Sequence, residues 1–239
     1  MHKKQFAILL TALTLCTSMA ARASDSHAGD VAVAWAHIKE ILADDKAYLA
    51  AHNPVFFRKL TEGQKPRATV VTCSDSRVHT NMLDKTPEGD LFMVRNIGNQ
   101  IATAKGSVQY GVNHLGSSLL LIIGHSSCGA IKAASGDYSS LEPDIKHELD
   151  TIKITKGNAN IDGVKTNVNN QVTAALKEFP DKIKNGELLV VGAVYDFADD
   201  MKRGAGKLNI ININGETDPA RIRNTPGAKT KQAPAQEHH

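Results

Sequence analysis

The sequence predicts an α/β domain: a central, mostly parallel β-sheet with an antiparallel edge strand, flanked by helices. Three observations carry that expectation. Short apolar runs rich in β-branched residues recur at residues 68–72, 91–94, 118–123 and 188–195, each reading as a buried strand. Helix-like stretches at 104–115 and from about Ala130 onwards separate the later runs, giving the strand–crossover–strand order of parallel neighbours. A turn-rich stretch ending at Gly206 then leads into residues 208–213, which alternate weakly and read as the returning strand of a hairpin at one sheet edge.

The remaining elements follow from the same patterns. Val31, Trp35, Ile38, Ile41 and Leu42 recur at helical spacing, and Pro54 breaks the pattern before Phe56 and Phe57, so residues 31–60 read as a two-helix N-terminal arm. The polar stretch 137–172 reads as helix in two pieces, with a break between Gly157 and Gly163. Beyond Gly215 the composition turns to Pro, Thr, Lys and Gln, so residues 216–239 are expected to form a flexible C-terminal tail after a domain spanning 24–215. No internal repeat is visible.

Residues 1–23 read as a cleaved signal peptide. Met1-His2-Lys3-Lys4 is basic, an apolar run follows from Phe6 to Cys16, and Ala21-Arg22-Ala23 is a small-x-small site. The run is too short to span the ~30 Å hydrocarbon core, so no membrane anchor is expected and the mature chain would start at Ser24 in the periplasm. Lipid attachment at Cys16 is the alternative, disfavoured by the bulk of Leu15. The chain has 28 basic and 25 acidic residues, a formal charge of +3. Loss of Lys3, Lys4 and Arg22 leaves the mature protein formally neutral. Neutrality removes the usual electrostatic ground for a nucleic-acid or anionic-membrane partner and favours a small substrate.

Processing also removes Cys16, leaving Cys73 and Cys128 in a compartment where spare thiols oxidise. Each lies at the end of a predicted strand, where open α/β sheets place their ligands: Cys73-Ser74-Asp75-Ser76-Arg77 after one, His125-Ser126-Ser127-Cys128-Gly129 after another. Two thiolates and an imidazole suit zinc, and three protein ligands rather than four leave a position for water. The plainer alternatives are a disulfide or two buried free thiols. His37, His52, His114 and His147 lie on predicted helices without motif context and read as ordinary histidines. Ser74, Ser76, Ser126 and Ser127 lack a G-x-S-x-G elbow, so they read as turn residues rather than nucleophiles. Gly124 and Gly129 are expected to let the backbone turn closely around a metal, and Gly204-Ala205-Gly206 is no dinucleotide fingerprint.

The pairing of CSDSR with HSSCG, together with Arg95-Asn96-Ile97-Gly98-Asn99, resembles the β-class carbonic anhydrases. The resemblance runs from about Trp35 to Ile213, taking in Asn167-Val168 with Gln171-Val172 and Val194-Tyr195-Asp196. It implies one zinc per chain on Cys73, His125 and Cys128, with Asp75 and Arg77 as a catalytic dyad beside it. It also implies reversible hydration of carbon dioxide to bicarbonate and a proton by a metal-activated water, whose pKa zinc brings from about 15.7 towards ~7. Two thiolates offset the cation's charge, so hydrogen bonding to Asp75, itself held ionised by Arg77, has to make up the deficit. His79, close after Arg77, is the candidate proton shuttle. Val70 stands where a switchable subgroup carries Trp, which favours a zinc site that Asp75 does not close, although Arg95 is present. The resemblance further implies a homodimer or homotetramer in which the N-terminal arm packs on a partner subunit, with Trp35, Phe56 and Phe57 in the core or interface. Two other classes remain open: a hydrolase of carbonyl sulfide or carbon disulfide on the same scaffold, and a non-catalytic zinc-binding protein.

Overall fold

A computed structural model describes residues 31–225 and divides them into two compact units at Phe57/Arg58. The expected signal peptide lies outside the described residues, and among those described no helix is long and apolar enough to cross a membrane. The first unit holds α1 (Val31–Ala51) and the start of α2 (Pro54–Leu60). Asn53 caps α2 by accepting from the N–H groups of Val55 and Phe56, each at 3.0 Å, and Pro54 takes the first helical position, where a missing N–H costs nothing. The Tyr48 ring meets Phe56 and Phe57 edge-on. Along α1 the predicted apolar stripe stands in solvent, with Trp35 62% exposed.

The second unit is built on one sheet: β1 (Ala68–Cys73), β2 (Leu91–Asn96), β3 (Leu119–His125), β4 (Leu189–Asp196) and β5 (Lys207–Ile213). Their order is β2-β1-β3-β4-β5, with the first four parallel and β5 antiparallel along β4, the mixed sheet with an antiparallel edge that the sequence predicts. Every residue of β1 is buried, so its period-2 alternation is hidden and it reads as a continuous apolar run. From β1 the chain crosses outward to β2, then back to β3 on the other side. The crevice between the ends of β1 and β3 is therefore a topological switch point.

Helix α6 (Ile161–Glu178) covers one face of the sheet through Val164, Val168, Val172 and Ala175, all fully or nearly fully buried at helical spacing. It begins at Asn160, whose side chain accepts from the Asp162 N–H, so the expected break to Gly163 is too long: Gly163 lies inside the helix. The local capping signal outweighs the low helix propensity of glycine. The shorter helices are α3 (Lys105–Gln109), which opens into a wider π turn over Tyr110–His114, α4 (Gly129–Ser135), α5 (Pro143–Leu149) and α7 (Pro180–Lys184). The predicted flexible tail also starts with structure. Helix α8 (Pro219–Asn224) forms because Asp218 caps it by accepting from the Arg221 N–H at 2.8 Å and Pro219 occupies its first position, while residues 226–239 lie outside the described range.

Gly124 has a different role from the one its place before His125 suggests. A β-carbon there would fall 2.7 Å from Val168 and 2.8 Å from Val164, and one at Gly192 on the neighbouring strand 2.8 Å from Val168 and 2.9 Å from Val172. Both glycines admit α6 against the sheet rather than slackening a turn around a metal. At Gly129 a β-carbon would meet nothing within 4 Å, so close approach does not require glycine there either. Gly192→Ala should lower unfolding stability by about 1–3 kcal/mol through overpacking, read from the urea midpoint; an unchanged midpoint would show that α6 packs more loosely than these distances state.

Candidate metal centre

Cys73 is the last residue of β1 and His125 the last of β3, while Cys128 follows one turn later at the position just before α4. Parallel register places the two strand ends side by side, and the ligating atoms of these three buried residues all lie within 4.8 Å of one another. Among the described residues no other His, Cys, Asp or Glu group clusters in this way. His37, His52, His114 and His147 stand apart from it.

The donor chemistry fits a soft or borderline dication. His125 has no solvent exposure, and its Nδ1 lies 2.9 Å from the Ser126 carbonyl, which can only accept. Nδ1 therefore carries the proton, and Nε2 is left as a buried lone pair with no hydrogen-bond partner. The two cysteines are free and buried, with no disulfide between them. A hydrogen bond from the Cys128 thiol, helped by the N–H groups of Gly98 and Asp75, pulls Cys73 below the ordinary thiol range. The same bond and burial push Cys128 up. Two thiols this close in a dry pocket ionise one at a time, and a dication between them is what lets both lose their protons.

Beside this cluster Arg77 grips Asp75 at two points, Nε to Oδ1 at 2.9 Å and Nη2 to Oδ2 at 2.7 Å, while the Arg77 N–H also donates to Oδ1. Arg77 is the main reason the Asp75 carboxyl sits well below the usual carboxylate range. Asp75 Oδ2 lies 3.9 Å from His125 Nε2, so the carboxylate faces the cluster but is committed to Arg77. Arg77 reaches further, donating from Nη2 to the Ser127 carbonyl at 3.1 Å and lying 4.9 Å above the Phe197 ring. Arg95 holds the turn from the other side, Nε to the Cys73 carbonyl at 3.0 Å and Nη2 to the Asp75 carbonyl at 2.8 Å. His79 is exposed and meets the Thr80 hydroxyl at 3.3 Å rather than any residue of the cluster.

Sequence reading missed two contributors. Asp196, at the end of β4, accepts from the Ser126 hydroxyl at 2.6 Å, and Phe197 stacks at 6.0 Å from the His125 ring. Nothing in the spacing between Ser126 and Asp196 marks the contact.

The family profile described as carbonic anhydrase matches residues 68–202. Among curated proteins, a carbonic anhydrase of Emericella nidulans is 32% identical over 124 residues, 48% of this chain and 54% of that protein. One from Synechocystis is 34% identical over 118 residues, 46% of this chain and 42% of that protein. The chain thus spans about half the length of the curated relatives it matches. Among solved structures, a tetrameric β-carbonic anhydrase of Sordaria macrospora aligns with a TM-score of 0.60 at 25% identity, covering 75% of this chain and 97% of that one. A β-carbonic anhydrase of Aspergillus fumigatus aligns with a TM-score of 0.55 at 25% identity, over 85% and 100%.

Titrating the metal-free chain with cadmium should produce a thiolate-to-metal charge-transfer absorption that saturates at one ion per chain and releases protons, and Cys73→Ser or Cys128→Ser should weaken it. Absence of that band would mean that the three atoms converge without binding metal.

Proposed function

This chain belongs to the β-class carbonic anhydrases, and from that premise we propose that it hydrates carbon dioxide reversibly to bicarbonate and a proton, with zinc held by Cys73, His125 and Cys128. The observation that carries the reading is the convergence of two buried thiols and an unpartnered imidazole nitrogen within 4.8 Å, with an ionised carboxylate alongside. Zinc, when bound, supplies a Lewis acid that makes water acidic enough to be deprotonated near neutral pH.

The chain's own residues do the rest. Asp75 is kept anionic, so it accepts a hydrogen bond from the attacking oxygen and orients that oxygen's lone pair towards the carbon. Arg77 keeps both Asp75 oxygens engaged, which stops the carboxylate from swinging onto the metal and favours an open site. His79, exposed just beyond Arg77, is our candidate to pass the released proton to solvent.

The test is stopped-flow hydration of carbon dioxide between about pH 6.5 and 9 on the zinc-loaded protein. Wild type should be fast, and Asp75→Ala should lose about 10²–10⁴-fold while retaining zinc. Zinc bound without hydration at any pH would overturn the reading and turn attention to carbonyl sulfide. Activity confined to the alkaline end would show that Asp75 closes onto the metal. We also propose periplasmic export on the signal peptide, supported by its basic start, apolar run and small-x-small site; the exported protein used in this assay should have an intact mass beginning at Ser24.

We propose, too, that the chain forms a homodimer or homotetramer through its N-terminal arm. Val31, Trp35, Ile41 and Leu42 are each more than 60% exposed in the single chain, an apolar patch that a soluble monomer seldom leaves open. Trp35 is the chain's single tryptophan, so its fluorescence should shift to the red as the protein is diluted below its association constant. An emission already red and independent of concentration would refute the assignment.

A further inference from the structure

Asp196 is fully buried at the last position of β4, and the proposed chemistry does not use it. A carboxylate with no exposed surface needs its lone pairs satisfied, and here they are. Oδ1 accepts from the Ser126 hydroxyl at 2.6 Å and the Asp200 N–H at 3.0 Å, and Oδ2 accepts from the Met201 N–H at 2.8 Å. Burial alone would raise its pKa, but these donors outweigh burial and keep the group below the ordinary carboxylate value.

Ser126 is the residue whose carbonyl takes the Nδ1 proton of His125. Its own N–H donates to the Tyr195 carbonyl at 3.1 Å, so β4 grips Ser126 by both its backbone and its side chain. From there the chain passes through Ser127 in a left-handed conformation, φ +52°, to Cys128. Non-glycine residues adopt that conformation at a cost, which surrounding contacts have to offset. The loop that Asp196 caps also begins with Phe197, stacked on the His125 ring and under the Arg77 guanidinium.

We propose that Asp196 is a positioning residue of the metal centre: through the Ser126 hydroxyl it fixes the turn from His125 to Cys128, and with it the direction of the His125 Nε2 lone pair. This inference rests on the reading of Cys73, His125 and Cys128 as zinc ligands. The competing role, a cap for the loop at 197–201, uses the Asp200 and Met201 contacts and not Ser126, so the two are separable.

Ser126→Ala removes only the link to the metal side, while Asp196→Asn disturbs both. In the full-length holoprotein, zinc affinity measured by chelator competition should fall about tenfold or more for Ser126→Ala, within the range usual for groups that orient a metal's ligands. The absorption of the cobalt(II)-substituted protein should shift with it. Asp196→Asn should fall at least as far, and the double variant no further than Asp196→Asn, since both lie on one path. Affinity within twofold of wild type and an unchanged cobalt spectrum for Ser126→Ala would overturn the proposal even if Asp196→Asn unfolds more easily. Should Asp196→Asn fail to fold, the Ser126→Ala result decides by itself. A wild-type protein that binds no zinc would overturn the zinc reading and this inference with it.

Discussion

The rest of the structure depends on a charge constraint: two thiols and an imidazole meet within 4.8 Å where water is largely excluded. Such a group of donors is unstable by itself, because neighbouring thiolates repel and a buried lone pair forfeits its hydrogen bond. The parallel sheet makes the meeting geometrically simple. Strands β1 and β3 are register partners and end at the switch point, so one ligand from each is delivered side by side, and a short turn brings the third. Elements farther away serve that register. Helix α6 presses on β3 and β4 through the gaps at Gly124 and Gly192, and a slip of one residue in β3 would aim His125 at the wrong face.

Both ligand-bearing turns are held by side chains in addition to single backbone bonds to the neighbouring strands. Arg95 pins the carbonyls of Cys73 and Asp75, Arg77 pins the Ser127 carbonyl, and Asp196 takes the Ser126 hydroxyl. Arg77 therefore has two tasks. It holds the carboxylate that faces the reacting oxygen and also spans to the second turn, so the dyad and the metal ligands share one rigid frame. A planar guanidinium can grip Asp75 at two points and still reach Ser127, whereas a lysine has no such fork of donors.

How much of this was legible in the sequence varied with the range of the signal. The strands were readable because β-branched runs stopped at Cys73 and His125, and the pairing of C-x-D-x-R with H-x-x-C carried the family with it. Local rules also allowed the antiparallel β5 to be read. What escaped notice depended on contacts across the fold. Gly124 adjoins His125 in the chain, yet strand alternation turns it to the opposite face, towards Val164 and Val168. Gly163 carries the signal of a break, but Asn160 starts the helix upstream of it. Helix α8 has a readable start in Asp218-Pro219, which the tail-like composition around it masks. Asp196 meets Ser126 across 70 residues, a separation at which an acid and a serine carry no mutual pattern.

The formal charges at the centre give a further reason to expect a divalent cation. With both thiols ionised, Cys73 and Cys128 bring two negative charges into a buried site, while Asp75 is already paired with Arg77. A divalent cation offsets the two thiolates, whereas a monovalent one would leave a buried excess of negative charge, and a trivalent one an excess of positive charge. Without a cation the same side chains reach their balance by retaining protons, which is how the thiol pair is arranged here: Cys73 readily ionised and Cys128 resisting. Asp75 takes no part in that adjustment because Arg77 already neutralises it. Metal binding and proton loss are then coupled through the cysteines, while the carboxylate that orients the reacting oxygen stays charged in either state.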